Sequence, residues 1–152
     1  MAVIDIARED VETADPDTSV AELVRRMHED EVAGLVIVED GRPLDLVTDR
    51  DLTKALLDDQ FDAEETPVRE FLDDDMLTID VSTGIYDTVE TLSQHGVRRA
   101  PVVNEDGTLA GIISISDIVV LLGMELQQVA NAIRSSSPAY QQQGLDYYER
   151  QG

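Results

Sequence analysis

The sequence predicts an α/β chain, with α+β character in each copy, built from two β-α-β-β-α units that are related by a pseudo-twofold axis and packed as one module. Three observations carry this: an internal repeat, a helical spacing of apolar residues found in both copies, and two short apolar runs after each helix. Residues 3 to 38 align with 68 to 103 at an offset of 65, and 39 to 52 with 105 to 118 at an offset of 66, Asn104 being inserted. Identical pairs are Val3/Val68, Thr13/Thr78, Asp15/Asp80, Thr18/Thr83, Val24/Val89, Val32/Val97, Val38/Val103, Glu39/Glu105, Asp40/Asp106, Gly41/Gly107 and Asp51/Asp117. Apolar character is kept at Ile6/Phe71, Val20/Ile85, Met27/Leu92, Leu46/Ile112, Val47/Ile113 and Leu52/Ile118. Two copies of one supersecondary unit follow, each too poor in apolar surface to stand alone.

Each unit reads in the same order. Val20, Leu23, Val24 and Met27 are spaced i, i+3, i+4, i+7, and Ile85, Thr88, Val89 and Leu92 repeat the spacing, which predicts an amphipathic helix in each copy. Ser19 and Thr83 are the expected start signals. A β-branched run follows, Leu35 to Val38 or Ala100 to Val103, then a turn at Glu39-Asp40-Gly41 or Glu105-Asp106-Gly107, then a second run, Leu44 to Thr48 or Leu109 to Ser114. A further helix is expected near Asp51 and Asp117, where a carboxylate suits the helix dipole. The chain thus divides into repeat 1 (1–60), a linker (61–66), repeat 2 (67–122), a helical extension (123–134) and a polar, flexible tail (135–152). Leu122, Leu126, Val129 and Ile133 form a heptad-like stripe on the extension, which either packs back on the module or meets a partner.

Charge limits the partners. The 152 residues carry 33 acids against 11 bases, a formal net charge of −22, so nucleic acid and anionic membranes would be repelled. Because 42% of the residues are still hydrophobic, and the acids alternate with apolar positions, a folded domain is expected rather than disorder. A salt-rich cytoplasm, such as that of a halophilic archaeon, would screen the self-repulsion. Without cysteine, disulfides, thiolate nucleophiles and zinc-thiolate sites are unavailable. No stretch approaches the length of a membrane span and no basic-then-apolar leader opens the chain, so a cytoplasmic location is expected. Asp73-Asp74-Asp75 reads as solvated acidic surface rather than a metal site.

The chemistry-bearing motif is also repeated. Val47-Thr48-Asp49-Arg50-Asp51-Leu52 and Ile113-Ser114-Ile115-Ser116-Asp117-Ile118 share the pattern apolar, Ser/Thr, x, x, Asp, apolar at a strand-to-helix junction. A hydroxyl with free helix amides suits a phosphate, and a carboxylate accepts two hydrogen bonds from a ribose diol. The same residues could simply cap a helix. Their recurrence at matched positions favours a ligand role.

The paired repeat, the strand Arg99-Ala100-Pro101-Val102-Val103 and the closing segments 46–52 and 111–118 resemble the cystathionine-beta-synthase (CBS) domain pair, or Bateman module. The resemblance spans residues 1 to about 122. It implies a stand-alone regulatory module, not an enzyme. Such a module binds AMP, ADP, ATP or S-adenosylmethionine between its repeats, requires no cofactor or metal, commonly forms a homodimer, and acts on a regulated protein carried on a separate chain. Similarity to the gamma subunit of AMP-activated kinase implies one cleft of Thr48, Arg50 and Asp51 with Leu77, Val97, Arg98 and Arg99. There Asp51 would hold the ribose, the backbone near Leu77 and Val97 the adenine, and Thr48 with Arg98 and Arg99 the phosphates. The second cleft would join Ser114, Ser116 and Asp117 with Glu12, Val32, Ala33 and Gly34. Arg98 and Arg99 correspond to Ala33 and Gly34, so phosphorylated ligands are expected to prefer the Asp51 cleft. Asp45 stands where repeat 2 has Gly111, and Val36 where it has Pro101, which makes repeat 1 the less typical copy.

Two rival readings remain. A structural interaction module with vestigial clefts needs no ligand. A nucleotide hydrolase would need catalytic groups, yet His28 and His95 do not coincide in the repeat and fall at predicted helix ends, and no Gly-rich phosphate loop or His-Glu-x-x-His motif is present. Asp49 and Asp51 could bind magnesium or act as paired carboxylates, depending on whether the backbone turns there.

Overall fold

A computed structural model describes residues 1–57 and 62–137. Two compact units are present, Met1–Ile115 and Ser116–Gly152. In the first, β1 (Thr13–Ala14), α1 (Val20–Glu29), β2 (Gly34–Glu39), β3 (Arg42–Thr48) and α2 (Asp49–Leu56) form repeat 1, after a 3-10 turn at Val3–Asp5. A second 3-10 turn at Val68–Phe71 leads into β4 (Ile79–Asp80), α3 (Ile85–Gln94), β5 (Arg99–Val103) and β6 (Leu109–Ser114). The last helix, α4 (Ile115–Ser136), runs without a break past residue 122. The turns and apolar runs of the sequence therefore map onto two three-stranded sheets, β1-β2-β3 and β4-β5-β6, in which the first pair is parallel and the second is an antiparallel hairpin.

Several of the repeated residues do backbone work. Asp15 Oδ1 accepts the Asp17 N–H at 2.8 Å and Asp80 Oδ1 accepts the Ser82 N–H at 2.8 Å, closing matched turns in which Thr18 and Thr83 donate to the Asp15 and Asp80 carbonyls at 3.0 Å. The Ser82 hydroxyl bond, more than its amide bond, holds the Asp80 carboxyl below its ordinary range. Asp40 and Gly41 adopt φ of 52° and 77°, the two left-handed residues of a tight hairpin that fits the strand twist. In repeat 2 the inserted Asn104 lengthens this turn, and Asp106 Oδ1 accepts the Thr108 N–H at 3.0 Å.

The helices begin and end as their residues dictate. Ser19 caps α1 by accepting the Glu22 N–H at 3.2 Å. The start signal expected at Thr83 falls one residue early: Gly84 is the N-cap of α3 and supplies no side-chain bond, while the Thr83 carbonyl is taken by the Val3 N–H. Both helices close with a bond from the sixth residue to the first, Val32 N–H to the Met27 carbonyl at 3.0 Å and Val97 N–H to the Leu92 carbonyl at 3.1 Å. Glu31 (φ 53°) and Gly96 (φ 64°) occupy the left-handed position that this closure requires. The repeated valines are therefore helix-closing residues.

Repeat 1 does not complete its own core. Val20, Leu23 and Met27 of α1 pack with Leu35, Ile37, Val47 and Leu52, and Val68 from the segment leading into repeat 2 completes this cluster. The exchange is reciprocal: Val3 N–H donates to the Thr83 carbonyl at 2.7 Å, and its repeat-mate Val68 N–H donates to the Thr18 carbonyl at 2.8 Å. The leading turn of each repeat thus docks on the helix start of the other.

A further crossing joins the N-terminal segment to β6. Arg8 and Ile112 exchange two backbone bonds, both 2.9 Å. Gly111 is required there, because a Cβ would lie 2.9 Å from the Arg8 carbonyl oxygen, closer than such carbons are found. Gly111→Ala is expected to push the two segments apart and to lower the unfolding free energy by about 1–3 kcal/mol, the net worth of two hydrogen bonds. Urea denaturation in molar KCl measures this, and an unchanged midpoint would show that the crossing contributes no stability.

Candidate functional site

Thr48 is the last residue of β3 and the N-cap of α2. Its backbone N–H donates to Asp51 Oδ2 at 2.9 Å and its hydroxyl donates to the same oxygen at 2.7 Å, while the Asp51 N–H points back to Thr48 Oγ1 at 3.4 Å. This is a capping box with aspartate in place of the usual glutamate. The helix-capping role weighed for this motif is therefore real in repeat 1, and it fixes the Asp51 carboxylate through a single oxygen. Asp49 and Asp51 both lie on α2 and not on the strand, because the chain turns after Thr48; Asp49 Oδ1 accepts the Arg50 N–H at 2.9 Å instead of facing Asp51.

The residues expected opposite them have equally definite surroundings. Arg99 opens β5 and pairs with Ser114 in the register of the hairpin; Gly34 pairs in the same way with Thr48. The Arg98 carbonyl accepts the Ile115 N–H at 2.9 Å, as the Ala33 carbonyl accepts the Asp49 N–H at 3.1 Å. Each strand-start dipeptide is therefore bonded to the closing motif of its own repeat. Across the repeats, β3 comes within 8 Å of β5, measured between Cα atoms. Val97, exposed, and Val32, half-buried, have already committed their N–H groups to closing α3 and α1, so only their carbonyls remain for an adenine. Leu77 is half-buried just before β4. The Glu12 carboxylate lies 3.7 Å from Arg26, whose guanidinium also donates to the Thr13 carbonyl at 2.7 Å, and the Glu12 carbonyl accepts the Val36 N–H. Ser116 and Asp117 lie in the first turn of α4, in the second compact unit.

Three of the described arginines, Arg25, Arg26 and Arg69, are held in ion pairs. Arg25 bridges Glu22 and Glu64 at 2.7 and 2.9 Å, and Arg69 bridges Asp17 and Glu39 at 3.2 and 2.7 Å. Hydrogen bonding to Glu64 in the first case and to Glu39 in the second raises the guanidinium above its ordinary value. Arg98 and Arg99 form no ion pair within 4.0 Å among the described residues. Arg42, Arg50 and Arg134 likewise take part in no ion pair among the described residues, and what sets Arg98 and Arg99 apart is that they are adjacent cations at the start of β5.

Sequence reasoning missed the part played by Asp45. It registered the mismatch with Gly111, but the structure adds that Asp45 binds the chain on its way into repeat 2, its Oδ2 accepting the Asp73 N–H at 2.8 Å. Asp73, from the acidic triplet, thereby acquires a structural backbone role. The described part of the second unit presents the stripe Leu122, Leu126, Val129 and Ile133 with all four side chains exposed, and the tail beyond residue 137 lies outside the described residues. Among the described residues no helix is long and apolar enough to cross a membrane.

Known proteins of this build include several that are close in fold. An uncharacterized protein of Methanopyrus kandleri is 28% identical over 120 residues, which cover 78% of this chain and 61% of that protein, so the chain spans less than two thirds of that relative's length. The crystal structure of CBSX2 in complex with AMP matches with a TM-score of 0.71 at 25% identity, covering 83% of this chain and 98% of the other. The CBS domain pair of protein MJ0100, crystallised with 5′-methylthioadenosine and S-adenosyl-L-methionine, matches with a TM-score of 0.71 over 82% of this chain and 98% of the other, and its 22% identity carries the fold alone. The CBS domain profile matches residues 3–58 and again 68–123, the two repeats found above. The chain belongs to the CBS domain family and carries a tandem pair of these domains.

Proposed function

We propose that this CBS pair is a regulatory module that binds an adenosine phosphate between its repeats and passes the binding event to a protein on another chain. Asp51 holds the ribose, Leu77 and the Val97 carbonyl face the adenine, and Arg98 and Arg99 receive the phosphate; Arg50 lines the same cleft, and Thr48, whose N–H and hydroxyl are both spent on Asp51 Oδ2, orients Asp51 rather than binding the phosphate itself. The observation that carries this reading is the state of Arg98 and Arg99, which stay outside any ion pair among the described residues of a strongly acidic chain. Both capping bonds fall on Asp51 Oδ2, which leaves Oδ1 open to the ribose hydroxyls. CBSX2, of the same fold, binds AMP. The motif Ser114-Ile115-Ser116-Asp117 is the weaker counterpart of Thr48 to Asp51 for a phosphorylated ligand, since Ala33 and Gly34 stand where repeat 2 has Arg98 and Arg99. The module works as a homodimer, without a required cofactor, and catalyses no reaction.

A thermal-shift panel at molar KCl with AMP, ADP, ATP, S-adenosylmethionine and NADH tests the reading. A ligand supplied at 100 times its dissociation constant is expected to add about 2.7 kcal/mol of stability. If none of the five moves the midpoint, the regulatory reading fails and the structural interaction module takes its place.

A further inference from the structure

The reciprocal exchange between the repeats is closed by backbone bonds at one crossing and by a side chain at the other. In repeat 2, the Arg8 and Ile112 backbones pair directly, over Gly111. The repeat-mates of Arg8 and Ile112 are Asp73 and Leu46. Their two N–H groups donate to one carboxylate: Leu46 N–H to Asp45 Oδ1 at 2.7 Å and Asp73 N–H to Asp45 Oδ2 at 2.8 Å. Asp45 occupies the position of Gly111. A Cβ at Gly111 would collide with the crossing chain, so a residue with a side chain there must hold that chain farther off, and its carboxylate must replace the lost carbonyls. Beside this crossing a cavity of about 520 Å3 opens between Pro43 and Leu44 of β3 and Leu72, Asp73, Met76 and Thr78 of the incoming segment.

We propose that Asp45 is a positioning residue, a carboxylate staple that fixes segment 72–76, and with it Leu77, against β3, and that can be undone by one proton where the Gly111 crossing cannot. The link to Leu77 rests on the adenosine reading above. An ionised carboxylate offers an acceptor to each N–H; a protonated one turns one oxygen into a hydroxyl donor and leaves one N–H without a good partner.

Charge and burial set when that happens. Burial raises the Asp45 carboxyl above its ordinary range, the bonds from Asp73 and Leu46 oppose the rise, and repulsion from the Asp73 and Asp51 carboxylates adds to it. Asp74 lies on the same incoming segment, and Glu39 and Arg69 line the far side of the cavity, Arg69 being paired with Glu39 and Asp17. Since the folded protein holds this proton more tightly than the unfolded chain, Asp45 favours folding at acid pH, and that contribution is lost as pH rises from the ordinary carboxylate range through the raised value. The staple runs the other way. It is made when Asp45 is ionised and loosens on acidification before carboxyls of ordinary pKa are protonated.

Amide exchange and pH titration of the isotopically labelled full chain, read by NMR in molar KCl, test this. Asp45→Asn keeps one acceptor and adds a donor, so exchange at the Leu46 or Asp73 amide is expected to quicken about tenfold or more. Asp45→Gly copies repeat 2 and is expected to restore slow exchange through a backbone bridge. The wild-type Asp73 amide should titrate with a midpoint above the ordinary carboxylate range and lose that titration in Asp45→Asn. AMP affinity should fall in Asp45→Asn and recover in Asp45→Gly. Unchanged exchange at both amides in a folded Asp45→Asn protein overturns the staple, and faster exchange with unchanged AMP affinity overturns its link to the cleft. A wild type that binds no AMP defeats the adenosine reading and the positioning role together, while the exchange data still decide whether the staple exists.

Discussion

Leu23→Ala is expected to lower the free energy of unfolding by about 2–5 kcal/mol, the usual cost of emptying a leucine-sized space in a packed core. Leu23 is fully buried in a cluster drawn from α1, β2, β3 and α2 and completed by Val68. Because Val68 belongs to the segment that leads into repeat 2 and is held by the Thr18 carbonyl, the loss should be felt by both repeats in a single transition. Its repeat-mate is Thr88, also fully buried, whose hydroxyl donates to the Gly84 carbonyl at 2.9 Å. Thr88→Ala removes fewer apolar atoms and should cost less. Urea unfolding followed by circular dichroism measures both, and two separate transitions in the Leu23→Ala protein, one at the wild-type midpoint, would show that the repeats are not coupled.

Asp51→Ala is expected to weaken AMP binding about 10- to 100-fold, which corresponds to losing hydrogen bonds from a ribose diol to a charged acceptor at about 1.5–3 kcal/mol. Asp51 also caps α2, so the same change should cost about 0.5–2 kcal/mol of stability. The two effects separate by calorimetry at a temperature where the variant remains folded. Asp117→Ala, in the repeat whose opposing dipeptide is Ala33-Gly34, should change the affinity for a phosphorylated ligand much less. A larger loss from Asp117→Ala than from Asp51→Ala would reverse the assignment of the preferred cleft.

The repeat and its elements were legible because local chemistry fixes them. Asp15 and Asp80 close turns with their own side chains, Asp40-Gly41 needs left-handed backbone, and Val20, Leu23 and Met27 bury one helix face. What escaped was carried by backbone groups distant in sequence. The bonds from Val3 to Thr83 and from Val68 to Thr18 use N–H and carbonyl groups that every residue type possesses, and so leave no side-chain pattern. The identity of Val32 and Val97 was visible, but its cause, a helix closure that consumes both N–H groups, depends on Glu31 entering a conformation more usual for glycine. The Asp45 mismatch was visible too. Only the position of the Asp73 N–H shows that the carboxylate stands in for a backbone bridge. For the candidate site, the motif containing Thr48 and Asp51 was recognisable, and the structure adds that its capping bonds leave one carboxylate oxygen for another partner.

The central claim is that an adenosine phosphate lies between the repeats, with ribose on Asp51 and phosphate beside Arg98 and Arg99. A crystal structure of the protein grown with AMP in molar KCl tests this most directly. The expected result is AMP with its ribose hydroxyls on the Asp51 carboxylate and its phosphate within hydrogen-bond distance of the Arg98 or Arg99 guanidinium. AMP bound with its ribose on Asp117 and its phosphate away from both arginines, or no AMP at all with these arginines paired to surface carboxylates, would contradict it.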